Sequence, residues 1–485
     1  MTINPLFATD GYKLSHILQY PPKTELVFST WTPRMSRDKR HGHVVVFGIQ
    51  PAMIKLGEIW RQGFFNRSLA AIMREFTSMH LHFLMCKPPQ EWVDAITYLH
   101  NLGYLPLEIK ALPEGTLCPI KTPYLTIKNT DPNCAWLTNF VETFLSTELW
   151  LSATSATTAY YNRLMLNNWA QKTGLTAKDM NFVGHDFSMR GMQNLQSGMM
   201  SGAAHLLSFD GTETVSTFPY INKYYYTPIE RLVVGTVPAT EHSVMCAWGK
   251  DGEVDLFDWL LTVRFSEGIL SVVSDTWDLW TVIGQYLPEL KDKIMTRNGK
   301  LVIRPDSGIP EDILCGDPTA EKDTLQYKGV VEVLWDIFGG TKNEAGFKTL
   351  DSHIGVIYGD AMNYDRVDTI LARLAAKGFA ANNVVFGFGS YNYTYVTRDT
   401  YGFALKSTAV VVDGEYREIY KDPATDTGFK KSQKGFVIVN DDLTYTDGLD
   451  VTAYEGANNN LESVFINGNY LNEEGFQQIK ARLWG

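Results

Sequence analysis

Between residues 181 and 389, short apolar runs end repeatedly in a polar or glycine-bearing turn, and this repetition constrains the fold more than any other feature. Asn181-Phe182-Val183 leads into Gly184-His185-Asp186. Leu232-Val233-Val234 leads into Gly235, with Glu241-His242 shortly after, and Ser271-Val272-Val273 into Ser274-Asp275. Leu301-Val302-Ile303 ends in Arg304-Pro305-Asp306-Ser307-Gly308, Gly355-Val356-Ile357-Tyr358 in Gly359-Asp360, and Val384-Val385-Phe386 in Gly387-Phe388-Gly389. The stretches between them, such as Thr276–Leu287 and Tyr364–Lys377, are long enough for crossover helices. Continuous apolar strands alternating with helices build a parallel sheet covered on both faces. Six runs, or seven with Leu206–Phe209, favour a closed or nearly closed barrel over a small open sheet.

The expected fold class is therefore α/β. A β/α barrel-like catalytic domain is expected over 155–399, with a flanking β-rich α+β domain built from both chain ends, 1–154 and 400–485. In the flanks, Leu26–Thr30, Val44–Phe47, Tyr124–Lys128, Ala409–Val412 and Phe436–Asn440 read as strands, with Asp413-Gly414 as a turn. Ile72–Met85 and Cys134–Trp150 carry helical spacing.

A formal net charge of -11 disfavours nucleic acid and anionic lipid as partners, yet leaves room for a locally basic pocket. The five cysteines form no C-x-x-C pair and suit scattered reduced thiols. The N-terminus lacks a basic segment followed by an apolar run, and no apolar stretch reaches the roughly 20 residues of a membrane span. A soluble, cytoplasmic protein is the expectation.

The residue types gathered at the strand ends point to chemistry. They are the acids Asp186, Glu213, Asp275, Asp306 and Asp360, the bases Arg190 and Arg304, and His242. Parallel β/α sheets place ligands at this carboxyl edge. A lone aspartate after a strand is more often a helix cap, and Asp275 before Thr276 fits that alternative. Arg304-Pro305-Asp306-Ser307-Gly308 combines a planar fork for phosphate, a stiff turn and an acid for a cation or sugar hydroxyl. Gly387-Phe388-Gly389-Ser390 looks like a backbone nest for phosphate, although on this segment by itself a tight strand-to-loop turn is the better reading. The lysines between Lys421 and Lys434 could grip a polyphosphate or form a solvated loop.

These motifs together resemble the nicotinate/nicotinamide phosphoribosyltransferase superfamily. The matching segments run in order from Ala8-Thr9-Asp10-Gly11-Tyr12-Lys13, through Leu107–Gly115, Asn129–Pro132 and His185-Asp186-Phe187 with Arg190-Gly191. They continue through Val237–Ser243, Ser271–Asp275, Ile303–Gly308, Gly359-Asp360, Thr397-Arg398-Asp399 and Lys421-Asp422-Pro423. The resemblance implies transfer of a phosphoribosyl group from phosphoribosyl pyrophosphate to nicotinamide in NAD salvage, with Mg2+ and with ATP as co-substrate. It implies a homodimer with sites at the interface. Phe187 and the partner's Tyr12 would sandwich the pyridine ring, Arg190 would lie against it, and Glu213 would accept from the carboxamide. Arg304 and Asp306 would bind ribose and phosphate, and Gly359 with Asp360 the ribose hydroxyls. Gly389 and Ser390 would cradle the 5′-phosphate, Arg398 would help with phosphate, and Arg34 would reach the pyrophosphate of the neighbouring site. Ser271 joins the substrate-binding set. His242 resembles a histidine phosphorylated by ATP, with Asp275 orienting it; the metal ligands stay unassigned. The family usually carries aspartate where this chain has Glu213, and a more glycine-rich phosphate loop than Phe388, Ser390 and Tyr391 allow. Rival readings are a nicotinate phosphoribosyltransferase, a barrel hydrolase of phosphorylated sugars, and a non-catalytic binding protein on the same scaffold.

Overall fold

The computed structural model describes residues 3–421 and 432–485. Asp422, Pro423, Lys430 and Lys431 of the lysine-rich stretch lie outside the described residues. The chain divides into two compact units: Met1–Thr157 with Phe218–Glu230 and Val396–Gly485, and Thr158–Thr217 with Arg231–Tyr395. Phe218–Glu230, expected within the barrel, thus groups with the chain ends.

The first unit is built on a seven-stranded antiparallel sheet. Its order is Glu415–Glu418, Phe403–Val412, Thr24–Pro33, Leu125–Asn129, Leu107–Ala111, Glu462–Ile466 and Asn469–Tyr470. Two helices each bury one stripe. Ile72, Phe76 and His80 do so on Leu69–Phe83, whose N-cap Ser68 accepts from the Ala71 amide. Trp92, Ile96 and Leu99 do so on Gln90–Leu102, which stops at the left-handed Gly103. The expected helix over Cys134–Trp150 is broken instead: a turn at Pro132–Cys134, a short helix Leu137–Phe140, then Glu142–Lys172. The break sits where polar side chains are tied outward. Thr138 donates to the Val27 carbonyl, and Asn139 donates to the Tyr20 and Ser407 hydroxyls.

The second unit is the barrel. Its strands are β1 (Gly184–Asp186), β2 (Gly211–Thr212), β3 (Glu267–Val273), β4 (Asn298–Arg304), β5 (Ile354–Tyr358) and β6 (Val384–Phe388). They form one parallel sheet in the order β2-β1-β6-β5-β4-β3. The segment Gly235–Thr240 pairs with both edges: Gly235 bridges Gly211 of β2, and Ala239 bridges Ser271 of β3. The Ser271 amide donates to the Pro238 carbonyl at 2.9 Å, and the Thr240 amide to the Ser271 carbonyl at 3.0 Å. The sheet is thereby closed on itself, and its wall is filled by Leu270, Val272, Leu301, Ile303, Val356, Phe386 and Phe388, all buried.

Four details of the barrel differ from the sequence expectation. Asn181–Val183 is a turn, and the strand begins at Gly184, the residue expected to end it. A Cβ on Gly184 would stand 2.6 Å from the Phe209 ring and 2.8 Å from Phe388, so this glycine answers a packing need inside a strand, not a turn. Leu206–Phe209 is the last residue of the helix Leu195–Leu206 and the buried turn after it, a distinction that a short apolar run cannot make. Leu232–Val234 remains partly exposed, and the pairing that closes the barrel falls just after it. Tyr364–Ala376 is a crossover helix as expected, whereas Thr276–Leu287 is split around a wider turn at Val282–Tyr286.

Candidate active site

Phe187 follows β1, and its ring rests on the ends of the neighbouring strands. A Cβ on Gly387 would lie 2.5 Å from that ring, and one on Gly359 2.9 Å, so both positions must stay bare for the ring to lie flat there. The turn beneath is held by Asp186, fully buried, which accepts from the Ser188 amide at 2.9 Å and the Thr214 hydroxyl at 2.6 Å. Asp186 is therefore a structural pin whose hydrogen-bonding capacity is taken up internally. Ser390 packs on Gly191, and Arg190 next to it is exposed.

The loop after β4 is fixed from the side by Asp275. One carboxylate oxygen accepts from the Asp306 amide at 2.9 Å and the Ser307 hydroxyl at 2.5 Å. Asp275 is thus a cross-strand staple; the helix-capping role falls to Asp278, which accepts from the Trp280 amide. His242 opens the helix His242–Trp248 directly beyond the closing segment. Its Nδ1 lies 3.2 Å from the Thr276 hydroxyl, and its Nε2 lies 3.6 Å from Asp306 and 4.0 Å from Asp275. Glu241, its sequence neighbour, accepts from Ser243 instead. Arg304 donates to the Thr240 carbonyl at 2.5 Å.

Polar atoms buried on this edge without a hydrogen-bond partner in the protein include Ser271 Oγ, the second Asp275 oxygen and Arg304 Nε. Buried donors and acceptors are almost always satisfied, so such a group of orphans marks where a polar ligand completes the structure. The electrostatics agree. Burial holds the Arg304 guanidinium below its ordinary value, with Arg190 adding repulsion and Asp306, Asp275 and Glu213 opposing it. Burial raises the Asp306 carboxyl, Asp275 and Asp360 push the same way, and Arg304 and His242 pull it down. Desolvation likewise raises Glu213, against a hydrogen bond from the Thr236 hydroxyl. Asp360 is exposed on the loop after β5, and Gly389 stands at the start of the helix Ser390–Tyr393 with open space over its Cα.

Among the described residues, no three His, Cys, Asp or Glu are placed to hold a metal by themselves. Were a Mg2+ to bind at this edge, Asp306 and Asp360 would be the carboxylates to hold it.

Tyr12, Arg34 and Arg398 belong to the first unit. Tyr12 is 62% exposed, its ring set edge-on to His16. Arg34 donates to the Gly402 carbonyl at 2.8 Å and is lowered by burial and by nearby Arg398. Lys406, which the sequence reading did not single out, joins them: burial lowers it, Glu142 opposes that, and Arg34, Lys13 and Arg398 add repulsion. Lys434 of the lysine-rich stretch pairs with Glu418 at 3.1 Å. Thr236, Thr276 and Lys406 carry no motif of their own; only the closure of the barrel and the register of the antiparallel sheet bring them in.

All five cysteines are free thiols, and no described helix is long and apolar enough to cross a membrane.

Residues 182–469 match the nicotinate phosphoribosyltransferase family, and residues 4–108 match the N-terminal domain of nicotinamide phosphoribosyltransferase. A nicotinamide phosphoribosyltransferase of Acinetobacter baylyi is 43% identical over 99% of this chain and 97% of its own. One from Xanthomonas campestris pv. campestris is 34% identical over 99% and 97%. Among solved structures, a nicotinate-nucleotide pyrophosphorylase from Pyrococcus furiosus shares the fold at TM-score 0.58 and 15% identity, covering 99% of this chain and 95% of that one. Human nicotinic acid phosphoribosyltransferase does so at TM-score 0.55 and 14% identity, covering 98% and 92%. With relatives of this identity matched along nearly its whole length, the chain belongs to the nicotinate/nicotinamide phosphoribosyltransferase family.

Proposed function

We propose that this chain transfers the phosphoribosyl group of phosphoribosyl pyrophosphate to nicotinamide, releasing pyrophosphate and forming nicotinamide mononucleotide for NAD salvage. The observation that carries the reading is the pairing of full-length similarity to nicotinamide phosphoribosyltransferases with a barrel edge that brings Phe187, Glu213, Arg304 and Asp306 to one mouth. Phe187 offers a face for the pyridine ring, and Glu213 an acceptor for the carboxamide N–H. The pyridine nitrogen is the nucleophile, so the enzyme needs orientation more than a covalent group. As the bond to pyrophosphate breaks, positive charge grows on the ribose; Asp306 favours that state, while Asp360 holds the ribose hydroxyls. Arg304, with its partnerless Nε, takes a phosphate or ribose oxygen, with Arg190 close by. Gly389 and Ser390 receive the 5′-phosphate. Mg2+, when bound, neutralises charge on the departing pyrophosphate. The nicotinate alternative fits less well, because its carboxylate would face Glu213.

That contrast gives a pH test. Glu213 is raised above the ordinary carboxylate range, so it becomes protonated earlier than usual as pH falls. While it is ionised it repels nicotinate; once it is protonated the repulsion goes. Preference for nicotinamide in kcat/KM should therefore decline as pH falls, beginning above the ordinary glutamate range. Glu213→Gln should lower the preference about tenfold at neutral pH and flatten its pH dependence. A pH-independent preference that survives in Glu213→Gln would remove Glu213 from base selection.

The exposed Tyr12 and the crowded cations Arg34, Arg398 and Lys406 suit a surface completed by another molecule. In this reading the enzyme is a homodimer in which Tyr12 and Arg34 serve the partner's site. Mixing inactive Tyr12→Ala and Asp306→Ala chains should restore part of the activity, since one site per heterodimer then carries neither lesion. Heterodimers without recovery would disprove the shared site.

His242 is the proposed phosphoryl acceptor from ATP, its Nε2 attacking the terminal phosphorus as ADP leaves. For that, Nδ1 must carry the proton and donate to Thr276, while neither carboxylate lies within hydrogen-bonding distance of Nε2. His242→Ala should abolish ATP hydrolysis and ATP stimulation while leaving slow ATP-independent synthesis. Full ATP stimulation in the folded variant would rule the role out.

A further inference from the structure

Ala361, directly after Asp360, adopts a left-handed conformation with φ 52°. A residue with a Cβ holds that shape only where its surroundings enforce it. Arg366, in the first turn of the helix Tyr364–Ala376, holds the carbonyl of Ala361. Its Nη1 donates to the Ala361 carbonyl at 3.0 Å, and its Nε donates to Glu311 at 3.1 Å. Glu311 lies in the first turn of the helix Pro310–Cys315, immediately past the Arg304–Gly308 loop. The pair is shielded, with side-chain exposures of 32% and 18%, and so escapes much of the screening that weakens surface pairs.

The same two loops are tied once more, by the Tyr358 hydroxyl donating to the Ser307 carbonyl at 3.0 Å. Asp275 joins the β3 loop to the β4 loop. Of these ties, Arg366 is the one that reaches the peptide next to Asp360. Glu311's second oxygen has no protein partner, so Arg366 is the ion pair on which that carboxylate depends.

We infer that Arg366 is a positioning residue for the ribose end of the site: by bridging the Ala361 carbonyl to Glu311, it holds Asp360 at a set spacing from Asp306. The inference rests on the reading that both carboxylates meet the ribose of the phosphoribosyl donor. Without the bridge, the Ala361 peptide relaxes out of its left-handed shape and carries Asp360 with it. The chemistry at C1, the pyridine stack and Glu213 stay in place.

The test is steady-state kinetics on the full-length protein, with folding followed by circular dichroism and thermal melting. Arg366→Met should raise the KM for phosphoribosyl pyrophosphate about tenfold while kcat and the nicotinamide KM stay within about twofold. Glu311→Gln, which removes the same bridge from its other end more gently, should raise that KM about threefold. Because glycine adopts the left-handed shape without strain, Ala361→Gly in the Arg366→Met background should restore the KM to within about twofold of the parent. A merely structural arginine would not be rescued there. Unchanged KM in both Arg366→Met and Glu311→Gln, equal losses across all three parameters, or failed rescue by Ala361→Gly would each overturn the inference. If Arg366→Met does not fold, Glu311→Gln alone and with Ala361→Gly decides. A parent that forms no nicotinamide mononucleotide would instead refute the underlying functional reading, and the inference with it.

Discussion

The barrel closes through one short segment, and the site depends on that closure. Gly235–Thr240 bonds to β2 at one end and β3 at the other. It does so at two bridges, which leaves its other groups free for the mouth of the barrel. Thr236 donates to Glu213, the Thr240 carbonyl receives Arg304, and His242 follows two residues later at the start of a helix. A parallel sheet left open there would expose unpaired edges and scatter these three contacts. Closure thus converts a segment with little strand character into the scaffold for the groups proposed to recognise the base, hold phosphate and accept a phosphoryl group.

The charges at this edge balance in an order suited to an anionic donor and a cationic transition state. Asp275 is spent on the protein, stapling the Arg304–Gly308 loop, which leaves Asp306 and Asp360 as the acids proposed to meet the ribose. Those two crowd each other, and Asp306 is raised by burial and by its acidic neighbours. Arg304 and Arg190 repel in turn. The arginine pair would gain a counter-charge from an anionic phosphoribosyl donor, and the carboxylates theirs from the positive charge that grows on the ribose as the bond to pyrophosphate breaks. A chain of net charge -11 can accordingly bind a highly charged anion through a few placed cations.

The barrel was legible because buried parallel strands read as continuous apolar runs, and four of them, at Ser271–Val273, Leu301–Ile303, Gly355–Tyr358 and Val384–Phe386, lie within observed strands. The closing segment was not, since it is short, partly exposed and paired at isolated points. The acids and arginines of the edge were visible as types at strand ends, but their division of labour was not. Asp275 read as a helix cap or as the acid orienting His242; it staples the Arg304–Gly308 loop, and Thr276 and Asp306 lie nearer the imidazole. Such pairings cross dozens of residues and follow from strand register, which no local pattern encodes. Gly184 shows the converse: a glycine that reads as punctuation is held bare by two aromatic rings.

The central claim is that the mouth of the barrel joins nicotinamide to phosphoribosyl pyrophosphate through a phosphate arginine with an open donor. The most direct measurement is product formation by the purified protein with nicotinamide, phosphoribosyl pyrophosphate and Mg2+, beside a folded Arg304→Ala variant. The account predicts nicotinamide mononucleotide and pyrophosphate in equal amounts from the parent, and a loss of at least about a hundredfold in kcat/KM on removing Arg304. No product from the parent, or an Arg304→Ala variant that keeps the parent rate, would contradict it.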